Sequence, residues 1–238
     1  MKKERGRPEM YRHIFLPFGP LAGPLLDHVT RTHSGFFQNV TDMKAELDSR
    51  RPVLDQLCKN VHGLEVNTAL LFGIAKLHKM AEKPEEEILK ADILNLGSGP
   101  GVFETVAGSL GFHRVVGVDA DPGICRLAAS VPGRSPHNRV LEGDFRSRDG
   151  LPDSVRDSKF HYVVSNSSIH PDHFISVADM MAPRVRKGGG FVIRYFANEE
   201  PPSGAEFDKH LAGLGLKEVR DPRLEQIHMN IYQKTRDK

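Results

Sequence analysis

The sequence predicts an α/β fold, in which a mostly parallel sheet is doubly wound with helices on both faces. In segment 93–101 an apolar run meets three glycines spaced two residues apart, and an amphipathic stretch, 102–110, follows at once. That order is typical of a buried strand, a tight turn and the start of a helix. Four more short apolar runs follow, with helical patterns between them. Strands that alternate with helices favour a parallel sheet.

The glycine turn is the first candidate binding site. Gly97, Gly99 and Gly101 tolerate positive φ angles and let a ligand approach the main chain closely. The start of the helix adds unpaired N–H groups and a partial positive charge. The turn therefore predicts a site for the polar, anionic end of a nucleotide-like ligand. A tight turn without a ligand is the alternative.

The later apolar runs end in polar side chains. The run over 113–119 ends at Asp119, about 20 residues beyond the glycine turn, the interval at which an acid reaches a ribose diol. The run over 140–145 ends at Asp144 beside Phe145, and the run over 160–164 ends at the polar segment 165–167. These endings indicate a binding site along one edge of the sheet.

This series of runs, turn and acids resembles the class I, Rossmann-like S-adenosylmethionine-dependent methyltransferases over roughly 92–232. The resemblance implies a three-layer fold with a seven-stranded sheet, a C-terminal antiparallel strand pair and an N-terminal helical cap. We expect residues 1–90 to form the cap, which is not an independent domain, and residues 91–238 to form the S-adenosylmethionine-binding domain. Asn95 departs from the family, which often has Asp or Glu at this position. Its amide can still donate and accept hydrogen bonds, but it lacks the charge.

The resemblance also implies roles for the cofactor-binding residues. The three glycines would lie against the amino-acid part of S-adenosylmethionine. Asp119 would accept hydrogen bonds from the ribose hydroxyls, and Asp144 and Phe145 would contact the adenine. The alternatives are a helix cap, a turn acid and a core Phe. The predicted cofactor-binding residues are Asn95, Gly97, Ser98, Gly99, Gly101, Asp119, Ala120, Asp144, Phe145 and Ser165.

Segment 165–173 corresponds to the acceptor site of the family. It lacks the Asn/Asp-Pro-Pro-aromatic signature of many enzymes that methylate nucleobase amines or glutamine side chains. It resembles the looser pattern of small-molecule methyltransferases, so we expect a small-molecule acceptor with an oxygen, nitrogen or carbon nucleophile. His170 is the candidate catalytic base, since a neutral imidazole suits that role; a loop histidine that caps the next helix is the alternative. The predicted substrate-binding residues are Tyr11, Asn166, His173, Arg194 and Tyr195.

Other functions remain as alternatives. Basic residues at 2–7 and 184–187 keep an RNA or protein methyltransferase open. A protein that binds the cofactor without transferring methyl, as a scaffold, regulator or rearrangement catalyst, is a further alternative. As to assembly, both a monomer and a homodimer are compatible with the sequence. His170, Asp172 and His173 also suggest a metal site, but no further cluster accompanies them. We therefore expect no metal.

Composition limits the classes of protein. The 238 residues suffice for one sizeable domain with extra helices, and the net charge of +2 argues against a surface devoted to nucleic acid. Cys58 and Cys125 form no spacing motif, which favours free thiols in a reducing compartment. No apolar run approaches the roughly 20 residues that span a bilayer. We expect a soluble, cytoplasmic protein without contact to a membrane.

Periodicity and breakers predict the remaining elements. Helices are expected over 36–61, 64–81, 122–130, 171–185 and 205–213, and a short turn or helix over 151–157. Strands are expected over 191–196, after three glycines that act as a stop, and over 216–220 and 227–232. The apolar stretch 13–26 holds three prolines and two glycines, so we expect an irregular strap or a lid over the substrate pocket.

Overall fold

A computed structural model of the chain describes residues 61–99, 101–109, 111–129, 137–196, 199–225 and 228–236. The strap or lid over 13–26, nearly all of the helix expected over 36–61, and Tyr11 lie outside the described residues. The division into a cap over 1–90 and a domain over 91–238 stays a prediction.

A seven-stranded sheet forms the centre of the described chain. Its strand order is β3-β2-β1-β4-β5-β7-β6. β1 to β5 run parallel, while β7 is antiparallel to both β5 and β6. The predicted doubly wound sheet with a C-terminal antiparallel pair is thereby confirmed. The strands are β1 (Asp92–Leu96), β2 (Arg114–Asp119), β3 (Asn138–Glu142), β4 (Phe160–Asn166), β5 (Val185–Arg194), β6 (Leu216–Val219) and β7 (Met229–Lys234).

The helices follow the predicted order with shifted ends. The expected helix over 171–185 is divided: a 3-10 turn, Pro171–His173, precedes a central α-helix, and a second 3-10 turn, Ala182–Arg184, follows it. A further 3-10 helix, Glu85–Lys90, leads into β1. The α-helices are α1 (Val61–Met80), α2 (Val102–Ser109), α3 (Pro122–Ala129), α4 (Asp153–Arg156), α5 (Phe174–Met181), α6 (Ala205–Gly213) and α7 (Pro222–Glu225).

Apolar side chains cover both faces of the sheet. On one face α1 and α2 pack over alternate strand residues such as Ile93 and Val192. On the other face α5 and α6 pack over residues such as Leu94 and Phe191. Residues two apart on a strand share a face, so Asn95 lies on the α1 face with Ile93, and Arg194 lies there with Val192. Two positions of the candidate site therefore share one side of the sheet.

The prediction that glycines 188–190 stop the chain before a strand is wrong, because they lie inside β5. A Cβ atom at Gly189 would lie 1.8 Å from the carbonyl oxygen of His161, and one at Gly190 would lie 2.0 Å from that of Tyr232. The neighbouring strands approach too closely for any side chain. The pairing of β5 with β4 also shifts register here, and Gly188 has a φ of +78°. These glycines allow an irregular strand rather than ending it.

Candidate functional site

Five parallel strands bring their polar endings to one edge of the sheet. Asp144 follows β3, Asp119 ends β2, the glycine turn follows β1, Asn166 ends β4 and Arg194 ends β5. Ligands of open α/β sheets bind at the carboxyl ends of the strands. The sheet therefore collects the predicted residues along the edge that this rule favours.

Asp119 holds the glycine turn in place. Its Oδ2 accepts a hydrogen bond from the main-chain N–H of Gly99 at 2.9 Å, and its Oδ1 accepts one from that of Asp121 at 3.0 Å. The N–H groups of Gly97 and Ser98 both donate to the carbonyl of Val118, at 2.8 and 3.1 Å. Each carboxylate oxygen has more than one lone pair, so Asp119 can still accept hydrogen bonds from a ligand.

The three glycines of the turn serve different needs. All adopt positive φ angles, +70° at Gly97, +56° at Gly99 and +78° at Gly101. A Cβ atom at Gly99 would meet no atom of the described residues within 4 Å, whereas one at Gly97 would lie 2.1 Å from Cβ of Ser168. Gly97 therefore packs against the loop after β4, and Gly99 faces a space that none of the described residues fills. Gly101 closes the turn, since its N–H donates to the carbonyl of Ser98 at 3.2 Å.

A buried carboxylate that the sequence analysis missed lies beneath the turn. Nδ2 of Asn95 donates a hydrogen bond to Oε1 of Glu104 at 2.9 Å, and the side chain of Glu104 is completely buried. Gly117 makes room for it, because a Cβ atom there would lie 2.4 Å from Oε1 of Glu104. An acid in the first turn of a helix is ordinarily explained by the helix dipole. The acidic residue that the family often has at position 95 is thus present on the neighbouring helix, in contact with Asn95.

Asp144 is engaged by a neighbour in the sequence. Nε and Nη2 of Arg146 donate to its two carboxylate oxygens, at 2.8 and 2.7 Å. These hydrogen bonds hold the pKa of the Asp144 carboxyl below its usual value. Phe145 is buried in the apolar cluster on the α5 face. A purine amine at Asp144 would therefore share this carboxylate with Arg146.

The loop after β4 joins the end of β5 to the glycine turn. Nη1 of Arg194 donates to Oγ of Ser167 at 3.0 Å and lies 3.3 Å from Oδ1 of Asn166. In the next residue, Oγ of Ser168 donates to the carbonyl of Gly97 at 3.0 Å. The structure thus brings Asn166 and Arg194 together beside the turn. On the other face of β4, the buried Oγ of Ser165 has no partner among the described residues.

His170 lies between two carboxylates. Its Nδ1 is 3.4 Å from Oδ2 of Asp172, and its Nε2 is 3.8 Å from Oε1 of Glu199. Nδ1 also accepts a long hydrogen bond, 3.3 Å, from the main-chain N–H of Asp172 and thereby caps the 3-10 turn that follows. The ring of His173 lies 6.0 Å away. Glu199, which the sequence analysis missed, is the more buried of the two acids, with its side chain 15% exposed.

Other predicted residues lie elsewhere. Ala120 is exposed directly after β2. The structure does not bring Tyr195 to the acceptor site, because its side chain is completely buried against the α5 face of the sheet. Burial raises the pKa of its hydroxyl. Within the described part of the chain, no group of three or more His, Cys, Asp or Glu side chains is arranged to hold a metal ion.

Within the ranges that the structure describes, no helix is both long and apolar enough to cross a bilayer.

Known proteins resemble the chain in sequence and in fold. It is 29% identical over 134 residues to the ribosomal protein L11 methyltransferase of Cupriavidus pinatubonensis, which covers 55% of this chain and 42% of that protein. It is 32% identical over 134 residues to the protein of the same name from Cupriavidus necator, with 55% and 41% covered. The match thus spans about two fifths of the length of these relatives. No family model matches the chain.

A solved structure shares the fold. The TehB-like S-adenosylmethionine-dependent methyltransferase of Corynebacterium glutamicum superposes with a TM-score of 0.50 and 19% identity over 76% of this chain and 97% of that one.

The relatives correct one prediction. A small-molecule acceptor was expected from the loop after β4, but the curated relatives are named for a ribosomal protein. The loop lacks a signature that is specific for nucleobase amines and glutamine side chains, and the absence of this signature does not distinguish small molecules from other protein acceptors. The relatives and the reversed last strand agree on the wider comparison: the chain has the fold of the class I, Rossmann-like S-adenosylmethionine-dependent methyltransferases and is similar to them in sequence.

Proposed function

We propose that this chain transfers a methyl group from S-adenosylmethionine to a protein acceptor. The observation that carries the proposal is the pairing of Asp119 with the open glycine turn. The acid accepts from the N–H of Gly99, while a Cβ atom at Gly99 would meet no atom of the described part of the chain within 4 Å. A carboxylate beside an open stretch of main chain suits a ribose next to an extended polar chain.

The residues present fit the cofactor. Asp119 would hold the ribose, and the main chain at Gly99 would lie against the methionine part. The buried Oδ1 of Asn95 has no partner among the described residues and suits the ammonium group. Asp144 and Phe145 would hold the adenine, once Arg146 shares or releases the carboxylate of Asp144. When bound, S-adenosylmethionine supplies a methyl group on a sulfonium sulfur, which is already activated for in-line transfer.

The protein contributes orientation first and a proton acceptor second. Methyl transfer from an activated donor depends chiefly on how donor and nucleophile are aligned. A hydroxyl or protonated amine must also lose a proton, and a nearby imidazole can accept it. His170 fits this role by position, because it follows β4 and is 53% exposed between two carboxylates. Phe196, which lies two residues after Arg194 and is 52% exposed, offers an apolar surface to an acceptor.

A protein acceptor is supported by the curated relatives, which are named ribosomal protein L11 methyltransferases. The net charge of +2 does not favour an extended phosphate-binding surface. These two observations favour a protein over RNA as the proposed acceptor.

Two measurements test the proposal. Calorimetry with S-adenosylmethionine should show binding to the full chain and loss of binding in Asp119→Ala. Transfer of tritiated methyl should then label bacterial ribosomal protein L11 or another protein of a bacterial lysate, and should label neither purified ribosomal RNA nor the small molecules of that lysate. Label in RNA alone would overturn the protein acceptor, and binding without any transfer would indicate a cofactor-binding protein that is not an enzyme.

A further inference from the structure

Arg194 carries a charge that the described residues do not balance. Its Nη1 donates to Asn166 and Ser167, which are both neutral. Its Nε is buried and has no partner within the described ranges. None of the described carboxylates forms an ion pair with it, and burial lowers the pKa of the guanidinium. A partly buried cation with neutral partners is a candidate for binding an anion.

The unpaired edge of the guanidinium has a particular shape. With Nη1 turned to the loop after β4, the edge formed by Nε and Nη2 is left without a hydrogen-bond acceptor among the described residues. That edge presents two parallel N–H groups, and a carboxylate accepts from both at once. Arg194 therefore favours a carboxylate as its partner.

The order of the strands indicates where this carboxylate comes from. Along the carboxyl edge, β2 with Asp119 is followed by β1 with the glycine turn, then by β4 and β5. A nucleoside whose ribose lies on Asp119 and whose chain crosses the glycine turn extends toward β5. Strands are about 4.8 Å apart, so β5 lies roughly 10 Å from β1. The side chain of Arg194 and an amino-acid chain bridge that gap together.

The local contacts support the same direction. Arg194 bonds to Ser167, and the next residue, Ser168, bonds to the carbonyl of Gly97. The guanidinium is therefore coupled to the glycine turn through two consecutive serines. Asn95, with its unpartnered Oδ1, lies on the same face of the sheet. An acceptor on β1 and a donor on β5 match the ammonium and carboxylate of one amino acid.

We propose that Arg194 binds the α-carboxylate of the methionine part of S-adenosylmethionine, an inference that rests on the proposed function. The α-carboxylate is the single anionic group of that molecule. Arg194 is thus a cofactor-binding residue, and not the acceptor-binding residue that its position after β5 suggested from the sequence.

Calorimetry with three nucleosides tests the assignment. S-adenosylmethionine has the carboxylate, decarboxylated S-adenosylmethionine lacks it, and 5′-methylthioadenosine lacks the whole amino-acid end. Arg194→Gln should weaken S-adenosylmethionine about ten- to a hundredfold, the usual effect of losing a charged hydrogen bond. Its affinity for the other two should stay within about twofold of wild type, since neither has the carboxylate. Arg194→Lys should be intermediate, because an ammonium keeps the charge without the two parallel donors.

Arg186→Gln is the matched control. Arg186 lies on the same strand at its other end, where Nη2 is 3.5 Å from Oδ2 of Asp92. This variant should bind all three nucleosides as wild type does. Equal weakening of all three by Arg194→Gln would assign Arg194 a structural role, and unchanged binding of S-adenosylmethionine would remove it from the cofactor site. If the wild-type chain binds none of them, the proposed function fails and the assignment fails with it.

Discussion

The main-chain N–H of Gly99 donates a hydrogen bond to Oδ2 of Asp119 at 2.9 Å, across a gap of 20 residues in the sequence. The bond joins the turn after β1 to the end of β2, which are neighbours in the sheet. Asp119 therefore has two roles: it shapes the turn, and it keeps acceptor capacity toward a ligand. Substitutions at either end of this bond test the cofactor site directly.

Asp119→Ala should weaken S-adenosylmethionine binding about ten- to a hundredfold, because hydrogen bonds to a charged acceptor contribute about 1.5–3 kcal/mol. Calorimetry on the purified variant measures the loss. Asp121→Ala is the matched control. Oδ1 of Asp121 accepts from the N–H groups of Gly123 and Ile124 at 2.7 and 3.1 Å and caps α3. The control should lose about 1 kcal/mol of stability while keeping its affinity. Equal affinity losses in both variants would contradict the ribose role of Asp119.

Gly99→Val should abolish cofactor binding in a folded protein. The new side chain enters space where no atom of the residues that the structure describes lies within 4 Å, so it would occupy the ligand's position. The positive φ of +56° adds about 1–2 kcal/mol of strain. Calorimetry for binding and urea unfolding for stability separate the two effects. Normal binding by Gly99→Val would show that the open side of this glycine faces solvent and not the cofactor.

Gly97→Ala should instead destabilise the fold, because its Cβ would lie 2.1 Å from Cβ of Ser168. We expect a loss of stability well above that of Gly99→Ala, whose φ is similar and whose surroundings are open. The double variant Gly97→Ala with Ser168→Gly removes the colliding atom and should recover part of the loss. Urea unfolding measures all of these variants. Additive losses in the double variant would rule out the contact as the cause.

The sequence predicts the parts of the site that follow local rules. A glycine turn after an apolar run, and an acid about 20 residues later, identify one edge of the sheet without coordinates. The run lengths and the breakers predict most of the strands and helices, because period and turn chemistry are local properties. The antiparallel ending came from the resemblance to the family, since no local rule sets the direction of β7.

The parts that the sequence did not predict depend on approach across the fold. Glycines 188–190 read as a stop, yet they lie inside β5, since main-chain atoms of β4 and β7 pass too close for a Cβ. Glu104 has no role among the sequence-based predictions, yet its side chain is buried against Asn95. Tyr195 reads as an acceptor residue by position, yet alternation turns it to the opposite face from Arg194. The glycines depend on strands that are distant in the sequence, Glu104 on the packing of α2 against the end of β1, and Tyr195 on which face of the sheet its position turns to.

The stability of the chain should fall as the pH falls from about 6.5 to about 4 because of His161. Burial, with Arg186 and Lys83 nearby, lowers the pKa of its imidazole to about 4, from about 6.5 in an unfolded chain. Its Nδ1 accepts from the main-chain N–H of Asp92 at 2.9 Å, which requires that nitrogen to be unprotonated. The unfolded state thus binds more protons in this window, so the stabilisation is complete above it and lost below it.

Because His161 is partly exposed, solvent screening reduces this contribution, and we expect about 1–2 kcal/mol. His161→Asn keeps an acceptor for the N–H of Asp92 and removes the titration. Urea unfolding at pH 7.5, 6 and 4.5 should show a shallower loss of stability in the variant than in wild type. Parallel pH dependence in the two proteins would contradict the assignment to His161.

His170→Ala should lower turnover about 10²–10⁴-fold if the imidazole accepts the proton of the nucleophile. Cofactor affinity should be unchanged, because Asp119 and the glycine turn lie on other strands. The competing role is structural: Nδ1 caps the 3-10 turn through the N–H of Asp172, and a neutral ring with that bond carries its proton on Nε2. To act as a base, His170 can release this hydrogen bond and accept the proton on Nδ1. Alternatively, it can first pass its Nε2 proton toward Glu199, 3.8 Å away, and then accept the proton of the nucleophile on Nε2.

His170→Asn separates these roles, because an amide oxygen can cap the turn but cannot accept the proton. A base predicts that the Asn and Ala variants are equally slow. A cap predicts that Asn restores the rate. His173→Ala, whose ring lies 6.0 Å from that of His170, should lower turnover much less than His170→Ala and serves as the control. Release of S-adenosylhomocysteine at saturating protein acceptor measures turnover. A rate for His170→Ala within a few-fold of wild type would leave orientation of donor and acceptor as the source of catalysis.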